Sequence, residues 1–493
     1  MIGEFYLNIG EVHMGNINIQ KHENQTIRKI FDDAGELKKV LIVGLDYAEE
    51  AHQVVICNGL GDYRCNPFTV KNNKEGLAFL VSRISNLCSK YTLKKSHVVT
   101  GGETPGSWAV NFAYQLHLQG YPVIDLHPHR VAKQSENETT NTDKLSAMTI
   151  CKCLINKMGH THYYDEIYTE LKLAVRSRSQ LGKSRTRISN QIHTCCDTYF
   201  PGLMDQKKSG IVPLSKPCFF ILENHSIQSI RSEKPAKLMR MLKKYGLSNT
   251  NKGVEKIKDL ANITLESSPT YERQMRRKLK HLIAQYNLIT EQIANAAEEV
   301  AYLLRQTPGA LLTSLDGISV TLASQLTAEF GDPQLTENID SKVTYFGLSK
   351  RTHQSGGEDK PKKKKGKSQR INKHGKRAIL MGVNLVLEHG PDEFRDYFQQ
   401  RQLSGKNGTH ALGRKLLRFV FSVLRTPHEY VPKELEGVNR KDPLWQEHYK
   451  KLETKLKRKW RPFTRKPSPN QDHFRQWEKV IKSVFGVTIT GEL

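Results

Sequence analysis

Two runs decide the fold: KVLIVGLD at 39–46 and SHVVTGGE at 96–103. Each is a short apolar stretch rich in β-branched residues that ends on a carboxylate. That is the pattern of a strand buried on both faces whose C-terminal end reaches a polar crevice. Between them, HQVVIC (52–57) and YRCNPFTV (63–70) flank a glycine-containing turn, and KEGLAFLVSRISNLCSKY (74–91) has helical periodicity. After the second run the spacing predicts a helix opened by Pro105, PGSWAVNFAYQLHLQG, and then a strand, YPVIDL (121–126).

Strand, strand, strand, helix, strand, helix, strand is the order of a ribonuclease H-like mixed α/β sheet. Asp46 and Glu103 then fall at the ends of strands whose backbones are neighbours. A polar loop is expected over 127–145, with Asp143 opening the helix that continues through SAMTICKCL. Carboxylate oxygens suit a hard divalent ion such as Mg2+, which polarises a phosphate and lowers the pKa of an attacking hydroxyl. A candidate hydroxyl is Ser355, in GLSKRTHQSGGEDKPKKKKGKSQR (347–370). The cations that follow it, Lys362, Lys363, Lys364 and Lys365, supply positive potential for a phosphate backbone.

The whole chain fits such a substrate. Its 493 residues carry 76 Lys and Arg against 50 Asp and Glu, a formal charge of +26 that implies a polyanionic partner, nucleic acid before any small acidic metabolite. No apolar stretch approaches the ~18 residues that cross a bilayer, so no membrane partner is expected. The first thirty residues lack the features of a secretion signal, which points to a cytoplasmic location. The eight cysteines form no pair of C-x-x-C knuckles, and His127, His129, His160 and His162 are given no metal role. Gly366–Ser368 imitates the end of a nucleotide-binding loop, but Pro361 stands where its first glycine belongs.

Five segments are expected: an N-terminal extension (1–38), the sheet domain (39–165), a helical coiled-coil arm with an insertion (166–306), a mainly helical domain (307–426) and a basic C-terminal extension (427–493). The arm opens on a helix crowded with Arg176, Arg178, Lys183, Arg185 and Arg187, read either as a phosphate-binding surface or as a solvated face. Residues 197–270 are uninformative. Met275, Leu279, Leu282, Tyr286, Ile289, Ile293, Ala296, Val300 and Leu303 then form a heptad seam, suited to packing within the chain or to joining two protomers. The DGIS turn at 316–319 suggests a helix-hairpin-helix-like element whose amides grip a phosphate. Lys373, Lys376 and Arg377, on the helix after the lysine run, join the candidate nucleic-acid-binding set. Trp445, Trp460 and Trp477 lie in the tail either as stacking platforms or as packing anchors.

Taken together, GLDYA around Asp46, GGETPGSWA around Glu103, GYPVIDLHPHRV, TNTDKLSA around Asp143, GLSKRTHQSGG around Ser355, the DGIS turn and NKHGKRAIL resemble insertion-sequence transposases. The family has an N-terminal DEDD, RuvC-like domain and a C-terminal serine domain, and its members are described as bridge-RNA-guided recombinases. The resemblance covers roughly 39–165 and 305–425. It implies that Asp46, Glu103 and Asp143 bind Mg2+ and that Ser355 forms a covalent phosphoserine with DNA. It also implies a structured guide RNA paired with target and donor DNA, and a dimer or tetramer in which acids of one protomer meet the serine of another. Where the family has a fourth acid, three residues after the third, this chain has Ser146. Two other readings stay open: a resolvase-like hydrolase that uses activated water, and an RNA-binding transposase derivative without activity.

Overall fold

The computed structural model describes residues 23–103, 108–134, 143–162, 166–247, 250–336, 338–349, 371–439 and 441–463. Ser355, Lys362, Lys363, Lys364, Lys365 and Trp477 lie outside them. The chain forms two compact units, Met1–Asp165 and Glu166–Leu493.

The first unit is built on a six-stranded sheet: β1 Leu41–Asp46, β2 Ala51–Asn58, β3 Phe68–Lys71, β4 Val98–Glu103, β5 Val123–Leu126 and β6 His160–His162. The strand order is β3-β2-β1-β4-β5-β6. β1, β4 and β5 run parallel, while β2, β3 and β6 are antiparallel to their neighbours. This mixed sheet has the expected ribonuclease H-like order, with β6 added at one edge.

Helices cover both faces, which is why the central strands are apolar throughout. On one face α2 (Lys74–Lys90) and α3 (Val110–Leu118) set Leu80, Ile84, Phe112 and Leu116 against Leu41, Val43, Leu45, Val98 and Val123. On the other, α1 (Gln25–Ala34) and α5 (Asp143–Ile155) set Ile27, Phe31, Ala147, Ile150 and Leu154 against Ile42, Val99 and Ile124. Residues 25–34 thus belong to the core of this unit, although the sequence placed them in an extension. Asn24 explains their register: its side chain caps α1 at Ile27 N and donates to the Gly159 carbonyl and the Thr161 hydroxyl of β6. The polar loop expected from residue 127 is replaced at Pro128–Gln134 by a helix, α4, whose Val131 is buried in the same core.

In the second unit α6 (Glu166–Tyr199) and α12 (Pro269–Arg305) lie along each other as a two-helix arm. The heptad seam therefore packs within the chain. It is dry at its ends: Leu279, Leu282 and Ile283 enter one core and Val300, Leu303 and Leu304 another. Between the two arm helices the insertion folds as α7 (Gln206–Ser209), α8 (Lys216–Asn224), α9 (Ile227–Ser232), α10 (Pro235–Lys244) and α11 (Thr250–Ile263), around Phe200, Leu222, Ile230, Leu238 and Ile257.

The remaining core joins α13 (Val320–Phe330), α14 (Ile339–Tyr345), α15 (Lys373–His389), α16 (Asp392–Leu403), α17 (Gly408–Arg425) and α18 (Pro443–Trp460) with one end of the arm. The hairpin turn before α13 faces inward. A Cβ on Gly317 (φ +87°) would lie 2.5 Å from the Leu385 carbonyl oxygen of α15, so glycine is needed there for close helix approach. The same turn is covered by α18: Lys459 Nζ donates to the carbonyls of Thr313, Leu315 and Ile318 at 2.6, 3.1 and 3.0 Å, and Lys455 pairs with Asp316. This packing, in place of a phosphate, accounts for the DGIS turn. Trp445 and Trp460 are buried, so both act as packing anchors.

Candidate functional site

Strand alternation sets the direction of the acids. Ile42, Gly44 and Asp46 share one face of β1, and Val99, Gly101 and Glu103 share the same face of β4. The parallel register pairs Gly44 with Gly101 and Leu45 with Gly102, so Asp46 and Glu103 follow side by side at the strand ends. The face they share is the one crossed by α5.

The two paired glycines let α5 come down onto the sheet. A Cβ at Gly44 would sit 2.8 Å from the Ala147 carbonyl oxygen and 2.6 Å from Cys151 Sγ. One at Gly101 would meet Leu154 Cδ2 at 2.9 Å. Asp143 lies one turn before Ala147, at the N-terminal end of α5 and hence toward the strand ends. Ser146, three residues later, shares its side of the helix. Asp125, another acid at a strand end, follows Val123 by two and so projects toward α2 and α3. It does not join the set.

The electrostatics record this convergence. Burial, then the charges of Glu103 and Asp143, push the Asp46 carboxyl up to about 6. Burial also raises Glu103. Like charges drawn together in a half-buried site are what a cation would relieve. Among the described residues no three acidic, histidine or cysteine side chains gather closely enough to form a ligand cluster. The acids are thus in electrostatic, not ligating, proximity. Their donor chemistry fits a hard divalent ion.

One residue here escaped the sequence reading. His52, fully buried on β2, accepts the Ala48 amide proton on Nδ1 at 3.2 Å and packs edge-on against Tyr47 and Phe112. It fixes the turn that leaves Asp46. The only sequence signal was an inward-facing polar residue in an otherwise apolar strand.

The basic helix divides into two roles. Arg176 donates from Nε and Nη2 to the two carboxylate oxygens of Glu329, at 2.9 Å each, and Glu329 also accepts from Asn372 Nδ2 at 2.8 Å. Arg176 is therefore part of the second unit's framework and leaves the phosphate-binding set. Arg178 differs: burial and the nearby Arg185 charge hold its pKa below the ordinary value, and its Nε has no hydrogen-bond partner among the described residues. Lys183 and Arg187 are exposed. On α15, Lys373 and Arg377 are exposed and Lys376 half-buried beside a groove.

Two family profiles match the chain: a DEDD-type IS110 transposase domain, described as "Transposase", over 43–201, and "Transposase IS116/IS110/IS902 family" over 309–399. The chain belongs to the IS110 family of transposases. The first profile spans β1 through α6 and hence all three acids. The second spans α13 through most of α16. A relative in Streptomyces coelicolor, the insertion element IS110 uncharacterized 43.6 kDa protein, is 22% identical over 338 residues, covering 66% of this chain and 78% of its own length. Between them the profiles leave 202–308 unmatched, where α7–α11 and the second arm helix α12 form. No helix among the described residues is long and apolar enough to cross a membrane.

Proposed function

We propose that this IS110-family protein is a DNA recombinase of a mobile element that cuts and rejoins strands through Ser355 with the help of its carboxylates. The observation that carries the reading is the convergence of Asp46, Glu103 and Asp143 at the β1 and β4 ends, where the charges of Glu103 and Asp143 add to the cost of ionising Asp46. Asp46, Glu103 and Asp143 would hold Mg2+, which when bound polarises a phosphate and offsets negative charge on it. Ser146, in the fourth place, would complete the shell through its hydroxyl or through water, since Mg2+ keeps several waters.

Ser355 Oγ attacks phosphorus, an O–P bond to the serine forms, and the displaced deoxyribose oxygen leaves as a hydroxyl with the proton. The reverse step rejoins DNA with no nucleotide triphosphate. Arg178, Lys183, Arg185 and Arg187 on α6, with Lys362, Lys363, Lys364 and Lys365 after Ser355, hold phosphates. The family resemblance adds a guide RNA that selects target and donor DNA, and assembly into a dimer or tetramer.

The same placement of Asp46, Glu103 and Asp143 at the strand ends favours a second reading, in which activated water attacks phosphate and Ser355 is idle. A denaturing gel with protein, Mg2+, RNA from the element's flank and cognate DNA separates them. A covalent protein–DNA band in wild type and none in Ser355→Ala supports the serine route. Cleavage by both proteins with no band supports the hydrolase. Neither band nor cleavage, with an active relative as control, leaves a binding protein with Ser146 as its lesion.

A further inference from the structure

A groove of about 470 Å³ runs along the first three turns of α15. The volume is within the ~300–1,000 Å³ of small-molecule sites. Its lining follows helical spacing: Lys373, then Lys376 and Arg377, then Leu380 and Met381, then Asn384. Charge is thus confined to the N-terminal turns, where the helix dipole adds to it. Ile371, Leu380 and Met381 form an apolar floor, the latter two packed on the unit's core. Among the described residues no carboxylate lines the groove, and none of its three cations forms an ion pair with a described carboxylate.

The groove is held rigid from below. Asn372, the cap of α15, accepts from Gly375 N, donates its side chain to buried Glu329 and its amide to the Tyr345 carbonyl at 2.8 Å. Gly347, at φ +68°, leaves room for Ile371 and Lys376 beside it.

We propose that this groove is a nucleotide subsite for single-stranded DNA. A phosphate sits on Lys373, Lys376 and Arg377, and the attached base lies on Leu380 and Met381. The apolar floor argues for a single strand, since a duplex hides its base faces and offers only phosphates to such a surface. It argues for DNA because, among the described residues, only the Asn384 amide lines the groove as an uncharged polar side chain, so little there reads a ribose 2′-hydroxyl. The subsite would hold one strand open near the exchange point. It rests on the reading of DNA as substrate, but not on the serine chemistry.

The test uses the full-length chain and fluorescence anisotropy with a short labelled oligothymidine, the same strand carrying abasic sites, and the matching oligouridine. Lys376→Ala and Arg377→Ala should each weaken binding to both DNA strands and flatten the salt dependence by roughly 0.7 in log–log slope. The Leu380→Ser/Met381→Ser variant should bind oligothymidine several-fold more weakly, because it loses the apolar surface under the base, yet bind the abasic strand like wild type. A thermal melt confirms that this variant folds, and Leu380→Met/Met381→Leu, which keeps the floor apolar, should bind oligothymidine like wild type.

Unchanged affinity in the floor variant, or equal losses on both strands, overturns the base site. Tighter binding of oligouridine overturns the assignment to DNA. Normal oligothymidine binding with no strand transfer by wild type would defeat the proposed function and leave the subsite standing.

Discussion

Arg176 grips Glu329 through two parallel hydrogen bonds of 2.9 Å, and only the glutamate is deeply buried. The pair ties α6 to α13, and Asn372 extends it to α15. Burial raises the Glu329 pKa, but Arg176, Asn372 and Lys172 together bring it below the ordinary value. Removing the arginine leaves a carboxylate in the core with partial compensation. Arg176→Met should cost about 3 kcal/mol in denaturant unfolding. Arg176→Lys should recover less than half of that, because lysine cannot make the bidentate contact. Arg187→Met, on the same helix, should leave stability within about 0.5 kcal/mol while weakening nucleic-acid binding.

Gly44 sets the height of α5 over the sheet. A Cβ there meets backbone at 2.8 Å, which a side-chain rotation cannot relieve. Gly44→Ala should destabilise the protein by about 1–3 kcal/mol and shift α5, with Asp143, away from Asp46. The Asp46 pKa, followed by NMR, should then fall toward the usual carboxylate range. An unchanged pKa in a folded variant would show that Asp143 is positioned by something other than this contact.

The central strands were legible because burial on both faces leaves few alternatives to an apolar run, and the acid closing each run marked the polar crevice. Alternation then placed Asp46 and Glu103 together. The helix α1 had a readable signal, Ile27, Ile30, Phe31 and Ala34 between Asn24 and Gly35, but nothing local says that such a helix joins a sheet whose first strand follows it. β6, only three residues long, carries too little pattern to read. Arg176 and Arg185 look alike in sequence because the difference between them is Glu329, 153 residues from Arg176. Gly317 likewise resembled a phosphate-gripping turn until α15 and α18 were seen against it. The short helices α7–α11 owe their stability to a shared core more than to their own periodicity.

Asp46 makes stability depend on pH in a defined direction. Its folded pKa, pushed up to about 6, exceeds the ~3.9 of an unfolded aspartate. The folded state therefore binds the proton more tightly. The resulting stabilisation is full below about pH 4 and is lost as pH rises through 6. Above that, the ionised group opposes folding. Asp46→Asn should raise stability at pH 7.5 by on the order of 1 kcal/mol, after allowing for partial solvent screening. It should have little effect at pH 4, and it should abolish DNA cleavage at both. Millimolar Mg2+ should narrow the stability gap at pH 7.5 by stabilising wild type, read as a rise in its Tm. A gap that ignores Mg2+ would argue against these acids as its ligands.

Lys459 tests whether α18 is an integral part of the second unit. Its ammonium donates to three carbonyls of the hairpin turn at 313–318, and the neighbouring Trp460 Nε1 donates to Thr313 Oγ1 at 3.1 Å. Burial lowers the Lys459 pKa to about 8, so the ammonium is retained at neutral pH at a desolvation cost that these carbonyls must offset. Lys459→Met fills the space but donates nothing. We expect a loss of about 2 kcal/mol and faster proteolysis between 425 and 443, the connection from α17 to α18. Lys451→Met, at an exposed i,i+4 pair with Glu447 on the same helix, is the control and should do neither. If α18 merely rests on the surface, the two variants will melt and digest alike. If it caps the turn, only Lys459→Met will release it, and the loss of the cap should carry to α15, which Gly317 holds at backbone contact on the turn's other side.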